Sequence, residues 1–206
     1  MKVWNYKSYE EYVDKQIDTN LTKYKTHSYV SQTEIQAIVD YMVKEEITPK
    51  FGLCHGSRRG NEQLYFQAIF ANKSLQVEVL GTEISHTATL FLNTIQWDFN
   101  KVKGEWINNV DFIYSNSFDH SFDPSETIDA WMSCLSKDGL CFIQWSQDNL
   151  DHRASDPIGG TLEEWKELFS KKYIVKETFD VSSSLGVTGM VNPAQDRTII
   201  VIENRK

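Results

Sequence analysis

The feature that most constrains this chain is a strand that runs into a glycine-punctuated turn and then a helix, Phe51-Gly-Leu-Cys-His-Gly-Ser-Arg-Arg-Gly-Asn-Glu62. A second strand, Leu75 to Glu83, follows it and ends in an acid. Gly56 and Gly60 let the backbone turn sharply and approach a ligand closely, and the amides that open the next helix offer donors to whatever sits there. Glu83 lies where the second strand of such a unit delivers a carboxylate to a ribose diol. This is the footprint of a nucleotide-type cofactor site. It is not the dinucleotide fingerprint, because Arg58 holds the place of the middle glycine and Glu83 comes later than the roughly 20 residues found in nicotinamide enzymes. A different adenosine cofactor is expected.

Around this unit the chain alternates strands with helices. The expected elements are strand 51–56, helix 60–71, strand 75–83, a short helix from 85, strand 94–98, strand 111–117, helix 124–136, strand 139–146, helix 161–171, strand 173–181 and strand 197–204. Such alternation predicts an α/β fold with a mostly parallel sheet covered on both faces. Two helices carry full punctuation. Asp123-Pro124-Ser-Glu126 supplies an N-cap acid and a first-turn proline, with Gly139 as the stop, and Thr161-Leu-Glu-Glu164 forms a capping box. Ser31-Gln-Thr-Glu34 reads as another box, opening a helix whose apolar face is Ile35, Ile38, Val39, Met42 and Val43. Ahead of it, the tyrosine-rich stretch 6–29 suggests a short helix over 8–18 and then irregular chain. The last two strands are joined by Ser182-Ser-Ser-Leu-Gly-Val-Thr-Gly-Met-Val-Asn-Pro193, too polar for a crossover helix, so they should pair antiparallel.

At 206 residues the chain is long enough for one domain with a real core. We expect residues 1–48 to form a helical extension packed on a cofactor-binding domain over 49–206. With 29 acidic against 21 basic side chains, the surface should repel polyphosphate, which argues against nucleic acid as a partner. The three cysteines, Cys54, Cys134 and Cys141, are unspaced for zinc and sit in apolar patterns, which fits buried free thiols in a reducing cytoplasm. No apolar stretch approaches the roughly 18 residues of a membrane span. A soluble monomer or homodimer is expected.

A doubly wound sheet closed by an antiparallel hairpin resembles the class I S-adenosylmethionine-dependent methyltransferases, from about Phe51 to the end of the chain. The resemblance is carried by four motifs in order. Leu53-Cys-His-Gly-Ser-Arg-Arg-Gly60 is similar to the glycine-rich motif, Gly81-Thr-Glu83-Ile84 to the ribose-binding acid, and Ile95-Gln-Trp-Asp98-Phe99 to the third-strand acid that faces adenine. Asp111-Phe-Ile-Tyr-Ser-Asn-Ser-Phe-Asp119-His120-Ser-Phe-Asp123-Pro124 is similar to the fourth-strand segment of small-molecule members. The resemblance implies seven strands in the order 3-2-1-4-5-7-6 with the last antiparallel, S-adenosylmethionine as cofactor and a small-molecule acceptor. The implied cofactor residues are Cys54, His55, Gly56, Ser57, Arg58, Gly60, Glu83, Ile84, Asp98, Phe99, Ser115 and Asn116. Two departures stand out: Cys54 where the family usually has an acid, and Arg58 where it has a second glycine. A guanidinium at 58 can bind the methionine carboxylate bidentately.

Methyl transfer needs donor and acceptor held at roughly 3 to 3.5 Å in line, so few catalytic groups are required. For a hydroxyl acceptor a base helps. His120, just past the fourth strand, is the candidate, with Asp119 to orient it or touch substrate. Asp119, His120 and Asp123 could also hold a divalent ion, but Asp123 is better used as a helix cap, and no metal is expected. Oxygen is preferred over nitrogen as the acceptor atom because a histidine is at hand. Trp145, Arg153 in the loop 147–160 and the aromatics Trp4, Tyr6, Tyr9, Tyr12, Tyr24 and Tyr29 are further candidates to wall the acceptor site, or simply to pack. Two other functions fit the same residues: a cofactor-binding protein without catalysis, and a nicotinamide oxidoreductase or epimerase. The second lacks the glycine pattern and a Tyr-x-x-x-Lys after the fourth strand.

Overall fold

In a computed structural model that describes residues 1–26, 28–182 and 196–205, the apolar strands assemble into one seven-stranded sheet. In chain order the strands are β1 (Lys2–Val3), β2 (Phe51–His55), β3 (Glu78–Glu83), β4 (Thr94–Gln96), β5 (Val110–Ser115), β6 (Leu135–Ser146), β7 (Ile158–Gly159), β8 (Ile174–Ser182) and β9 (Asp196–Glu203). The large sheet runs β4-β3-β2-β5-β6-β9-β8, and β9 is antiparallel to both its neighbours. With β2 as the first sheet strand, this is the 3-2-1-4-5-7-6 order expected from the resemblance. The connection 183–195, read above as a polar hairpin loop, lies outside the described residues.

Five helices are described: α1 (Tyr9–Lys23), α2 (Gln32–Lys44), α3 (Asn61–Asn72), α4 (Pro124–Cys134) and α5 (Leu162–Ser170). Period-two alternation along β5 and β6 divides their side chains between two cores. On one face Ile113, Cys141 and Ile143 pack with Ile128, Trp131, Trp165 and Phe169 of α4 and α5. On the other Phe112, Tyr114 and Phe142 pack with Ile35, Ile38, Phe66 and Phe70 of α2 and α3. α2, which the sequence groups with the N-terminal extension, is thus part of the sheet's own core. A two-stranded ladder, Lys2 with Gly159 and Val3 with Ile158, ties the N-terminus to the loop after β6.

Several boundaries differ for identifiable reasons. α1 continues to Lys23 because its buried stripe, Tyr12, Gln16, Thr19 and Asn20, has helical spacing but is polar, so apolar periodicity ended the expected helix at 18. β4 stops at Gln96, which leaves Asp98 in the loop beyond it. α4 ends at Cys134 and the chain passes directly into β6, so Gly139 is not its stop. Gly139 lies inside β6, where a Cβ would come 2.8 Å from the Val110 carbonyl. The box at Thr161 and Glu164 forms in both directions. That at Ser31 forms in one: Ser31 Oγ accepts from the Glu34 amide, while the Glu34 carboxylate turns into the core.

Candidate functional site

The carboxyl ends of β2, β3 and β5 meet under α1, and two adjoining cavities lie there. Gly56 follows β2 with φ +72° and Gly60 opens α3 with φ +73°, both in the left-handed region that glycine tolerates. Between them Arg58 is also left-handed, at φ +41°. A Cβ at Gly56 would come 2.6 Å from that of Ser117, so the turn sits tight against the segment after β5. The Ser57 amide donates to the Thr82 carbonyl at 2.9 Å, which docks the turn onto β3.

The smaller cavity, about 40 Å³, is lined from below by Gly56, Arg58, Glu83, Ile84, Asp98, Phe99, Ser117 and His120, and roofed by Tyr12, Gln16, Thr19 and Asn20 of α1. Glu83 is 6% exposed, and one of its oxygens accepts from the Ser85 amide at 3.0 Å. Burial pushes its carboxyl above the usual range, partly offset by that amide and by Arg58. Asp98 is engaged by protein donors on both oxygens: the Tyr9 hydroxyl on one, the Asn100 amide at 3.0 Å and Asn100 Nδ2 at 2.8 Å on the other.

The larger cavity, about 710 Å³, continues from Gly56, Arg58, Ser117 and His120 across Ser57, Arg59, Glu62 and Asn116 to Lys23, Asp119, Asp156 and Arg153. Its walls are strongly polar. Arg58 stacks over the Tyr29 ring, 5.1 Å from the centroid, and its Nε is buried without a hydrogen-bond partner. Ser57 Oγ and Glu62 Oε2 are likewise buried and unpartnered. Arg59 lines the larger cavity alone, while Arg58 reaches both.

His120 lies in a short 3₁₀ turn, Phe118–His120, held from above by α1. The Tyr12 hydroxyl donates to its carbonyl at 2.9 Å. Its Nδ1 is 2.9 Å from Gln16 Oε1, an atom that only accepts, so Nδ1 carries the proton. Nε2 then faces Asp156 Oδ1 at 3.4 Å and Asp119 Oδ1 at 3.9 Å. Burial raises the Asp119 carboxyl. At Asp156 burial also pushes upward, but His120 and hydrogen bonds from Arg153 and Ser155 outweigh it and the carboxyl is lowered. Asp119, His120 and Asp156 offer ligand atoms within 4.8 Å of one another. Asp123 is not in this group: it caps α4, accepting from the Ser125 and Glu126 amides at 2.8 and 3.0 Å. Asp156, from the loop after β6, takes the place that the sequence spacing assigned to Asp123.

Four of the expected cofactor residues point elsewhere. Cys54 faces the α2 and α3 side of the sheet with Phe66 and Phe112, because alternation along β2 turns it away from the turn. His55 turns to the other face, 3% exposed, with its ring 4.8 Å from that of Trp131 and Nδ1 2.9 Å from Thr82 Oγ1. Burial lowers it to about 3, which leaves it neutral and unsuited to proton transfer. Ser115 Oγ donates to the His55 carbonyl at 3.0 Å and accepts from the Ser117 amide at 3.0 Å, bracing β2 against β5. Gly60 serves the turn itself and lines neither cavity. Trp145 packs in the core with Nε1 donating to the Gly160 carbonyl at 3.0 Å. Tyr6, Tyr9 and Tyr12 cluster around Phe122 at 4.9 to 6.2 Å. Gln16, Glu62, Asp156 and Ser117 line the site without having been singled out in the sequence. Only Gln16 left a signal, as part of the polar stripe on α1.

No protein-family profile and no characterised protein matches the chain at the level of sequence. Solved structures do match in shape. The 1,6-didemethyltoxoflavin-N1-methyltransferase of Burkholderia thailandensis, crystallised with 1,6-didemethyltoxoflavin and S-adenosylhomocysteine, superposes with a TM-score of 0.71 at 14% identity, over 98% of this chain and 92% of that one. The CMeT domain of the citrinin polyketide synthase superposes at 0.61 with 11% identity, over 84% of this chain, which spans about half (52%) of that one. The plantazolicin methyltransferase in complex with S-adenosylhomocysteine gives 0.55 at 14% identity, over 94% and 89%. Among the described residues no helix is long and apolar enough to cross a membrane. Strand order, the antiparallel β9 and these superpositions together show that the chain has the class I S-adenosylmethionine-dependent methyltransferase fold.

Proposed function

We propose that this protein is an S-adenosylmethionine-dependent methyltransferase acting on a small polar molecule, with oxygen favoured over nitrogen as the acceptor atom. The observation that carries the reading is the seam between the two cavities. Gly56, Arg58, Ser117 and His120 line both, so one molecule lying along the seam faces a second across it. When bound, S-adenosylmethionine supplies a methyl group activated by its sulfonium.

The residues fit that group. Arg58 Nε is buried without a partner at the glycine turn, on a residue that lines both cavities, and such an orphaned polar atom is costly unless a ligand meets it. Arg58 is placed to take the methionine carboxylate, Glu83 the ribose hydroxyls, and Ile84, Phe99 and Asp98 the adenine. A cavity of about 40 Å³ is far below the roughly 300 Å³ at which small-molecule sites begin. α1 therefore has to withdraw Tyr12 and Gln16 to admit an adenosine, and Tyr9 has to release Asp98.

The far end of the larger cavity, beyond the glycine turn and Glu62, is the acceptor side. Its wall of Lys23, Arg153, Asp119 and Asp156 suits a polar molecule carrying several hydrogen-bonding groups. With α1 in place Gln16 orients His120 so that Nε2 points towards the cavity, and the backbone of the 3₁₀ turn keeps the ring there when α1 withdraws. In that tautomer it takes the proton of an acceptor hydroxyl, and the carboxylates of Asp119 and Asp156 stabilise the imidazolium that forms.

The test is transfer of a labelled methyl group from S-adenosylmethionine to a library of small hydroxylated and amine-bearing compounds, with S-adenosylhomocysteine measured as co-product. We expect turnover with at least one class, and His120→Ala should lower it by about 10²- to 10⁴-fold on a hydroxyl acceptor. Cofactor binding without co-product across the library would make the protein a cofactor-binding protein that does not transfer.

A further inference from the structure

We propose that Glu62 is the anionic half of a clamp for the zwitterionic end of the cofactor, binding its α-ammonium group while Arg58 binds its carboxylate. The inference rests on the cofactor reading above and assigns a residue that the glycine motif itself does not contain.

Glu62 stands in the first turn of α3 and is 6% exposed, yet it lines the larger cavity beside Gly56, Ser57 and Arg58. Oε1 accepts one long hydrogen bond, 3.3 Å, from Asn116 Nδ2, and Oε2 has no partner. Among the described residues no lysine, arginine or histidine pairs with it. An acid that served only the helix dipole would sit in water at the helix end. Burying a carboxylate with one oxygen unmet is unfavourable unless a cation or donor arrives there. The neighbouring Arg58 has the complementary defect, a buried guanidinium Nε with no acceptor. A free α-amino acid group carries both missing partners, ammonium and carboxylate, on one carbon. The acid is also absent from the strand below, where Cys54 turns into the core.

The surroundings keep Glu62 poised. Burial pushes its carboxyl up to about 7, with its own backbone amide, Arg58 and Asn116 pulling it down and Glu34 of α2 pushing it up. Tyr114 of β5 and Cys54 of β2, both raised chiefly by burial, also feel the charge of Glu62, and Arg197 of β9, which lines the same cavity, is engaged by Glu34. A bound ammonium draws Glu62 into its ionised form. Cofactor affinity should therefore rise with pH through about 7.

Calorimetric titration with two ligands tests this: S-adenosylhomocysteine, which carries the amino-acid group, and 5′-methylthioadenosine, which lacks it. Glu62→Gln should weaken S-adenosylhomocysteine by about 10- to 100-fold, leave 5′-methylthioadenosine within about twofold of wild type, and abolish the rise in affinity between pH 6 and 7.5. Equal losses on both ligands, or a loss on neither, would overturn the assignment while leaving the cofactor site in place. A variant that melted below wild type yet kept the wild-type ratio between the ligands would likewise assign Glu62 to the fold alone. Wild-type protein that binds neither ligand would defeat the cofactor reading and this inference with it.

Discussion

Two neighbouring helices, α2 and α3, each bury a glutamate in the first turn, and the protein treats the two in opposite ways. Glu34 is fully buried, and its oxygens meet the Tyr114 hydroxyl and Arg197 Nη1, the latter at 2.8 Å. Glu62 is almost as deeply buried, has one oxygen without a partner, and faces a cavity. Both carboxyls are raised by burial. The difference lies in what compensates the buried charge. At α2 the protein supplies the partners itself, so the charge belongs to the fold. At α3 the partners are left to come from outside, which marks a binding site.

That contrast can be broken most forcefully at the paired site. Arg197→Met leaves Glu34 buried with only the tyrosine hydroxyl, and should destabilise the protein by about 3 kcal/mol in urea unfolding at pH 7. A cost below about 1 kcal/mol would mean the Glu34 pair is not what holds α2 to β9. At the unpaired site the sign reverses. Glu62 titrates near 7 in the folded chain against an ordinary 4.5, so the folded state holds the extra proton between those values and stability falls as pH rises through that window. Glu62→Gln removes the titrating group. In the ligand-free protein its stability relative to wild type should improve from pH 5 to pH 7.5 by on the order of 2 kcal/mol. A difference that stays flat with pH would refute the buried, unpaired state of this carboxyl.

The adjacent arginines sharpen the comparison within one turn. Arg58→Ala should weaken S-adenosylhomocysteine binding by about tenfold or more, and Arg59→Ala by no more than about twofold, because only Arg58 reaches the seam. Comparable losses would defeat the assignment. The smallest effect is expected far from the site: Asp123→Ala removes the α4 cap and should cost about 1 kcal/mol of stability with cofactor affinity unchanged. A loss of affinity there would return Asp123 to the binding site.

Sequence was most legible where one physical rule dominates. The parallel sheet follows from alternation, the antiparallel final pair from the polar last connection, the turn from Gly56 and Gly60, and two helix starts from Asp123 and Thr161, while the strand order came from the family resemblance. Glu83, Ile84, Asp98 and Phe99 do line one cavity together. What escaped notice depends on contacts between distant segments. The box at Ser31 looked complete, but Arg197, far along the chain, draws Glu34 away from it. Motif position could not say that period-two alternation points Cys54 and His55 to opposite cores rather than to the ligand. Asp156 joins His120 through the loop after β6, and Gln16 through a helix whose inward stripe is polar because it roofs a site instead of sealing a core. Glu62 was hidden by its position, since an acid in a first turn is ordinary helix chemistry.

The most direct test of the central claim is a structure of the protein determined with S-adenosylhomocysteine. The account predicts the ribose against Glu83, the amino-acid end between Arg58 and Glu62, and α1 moved off the adenine side with Tyr9 released from Asp98. A ligand found elsewhere, or none at saturating concentration with α1 still closed over Glu83, would contradict it.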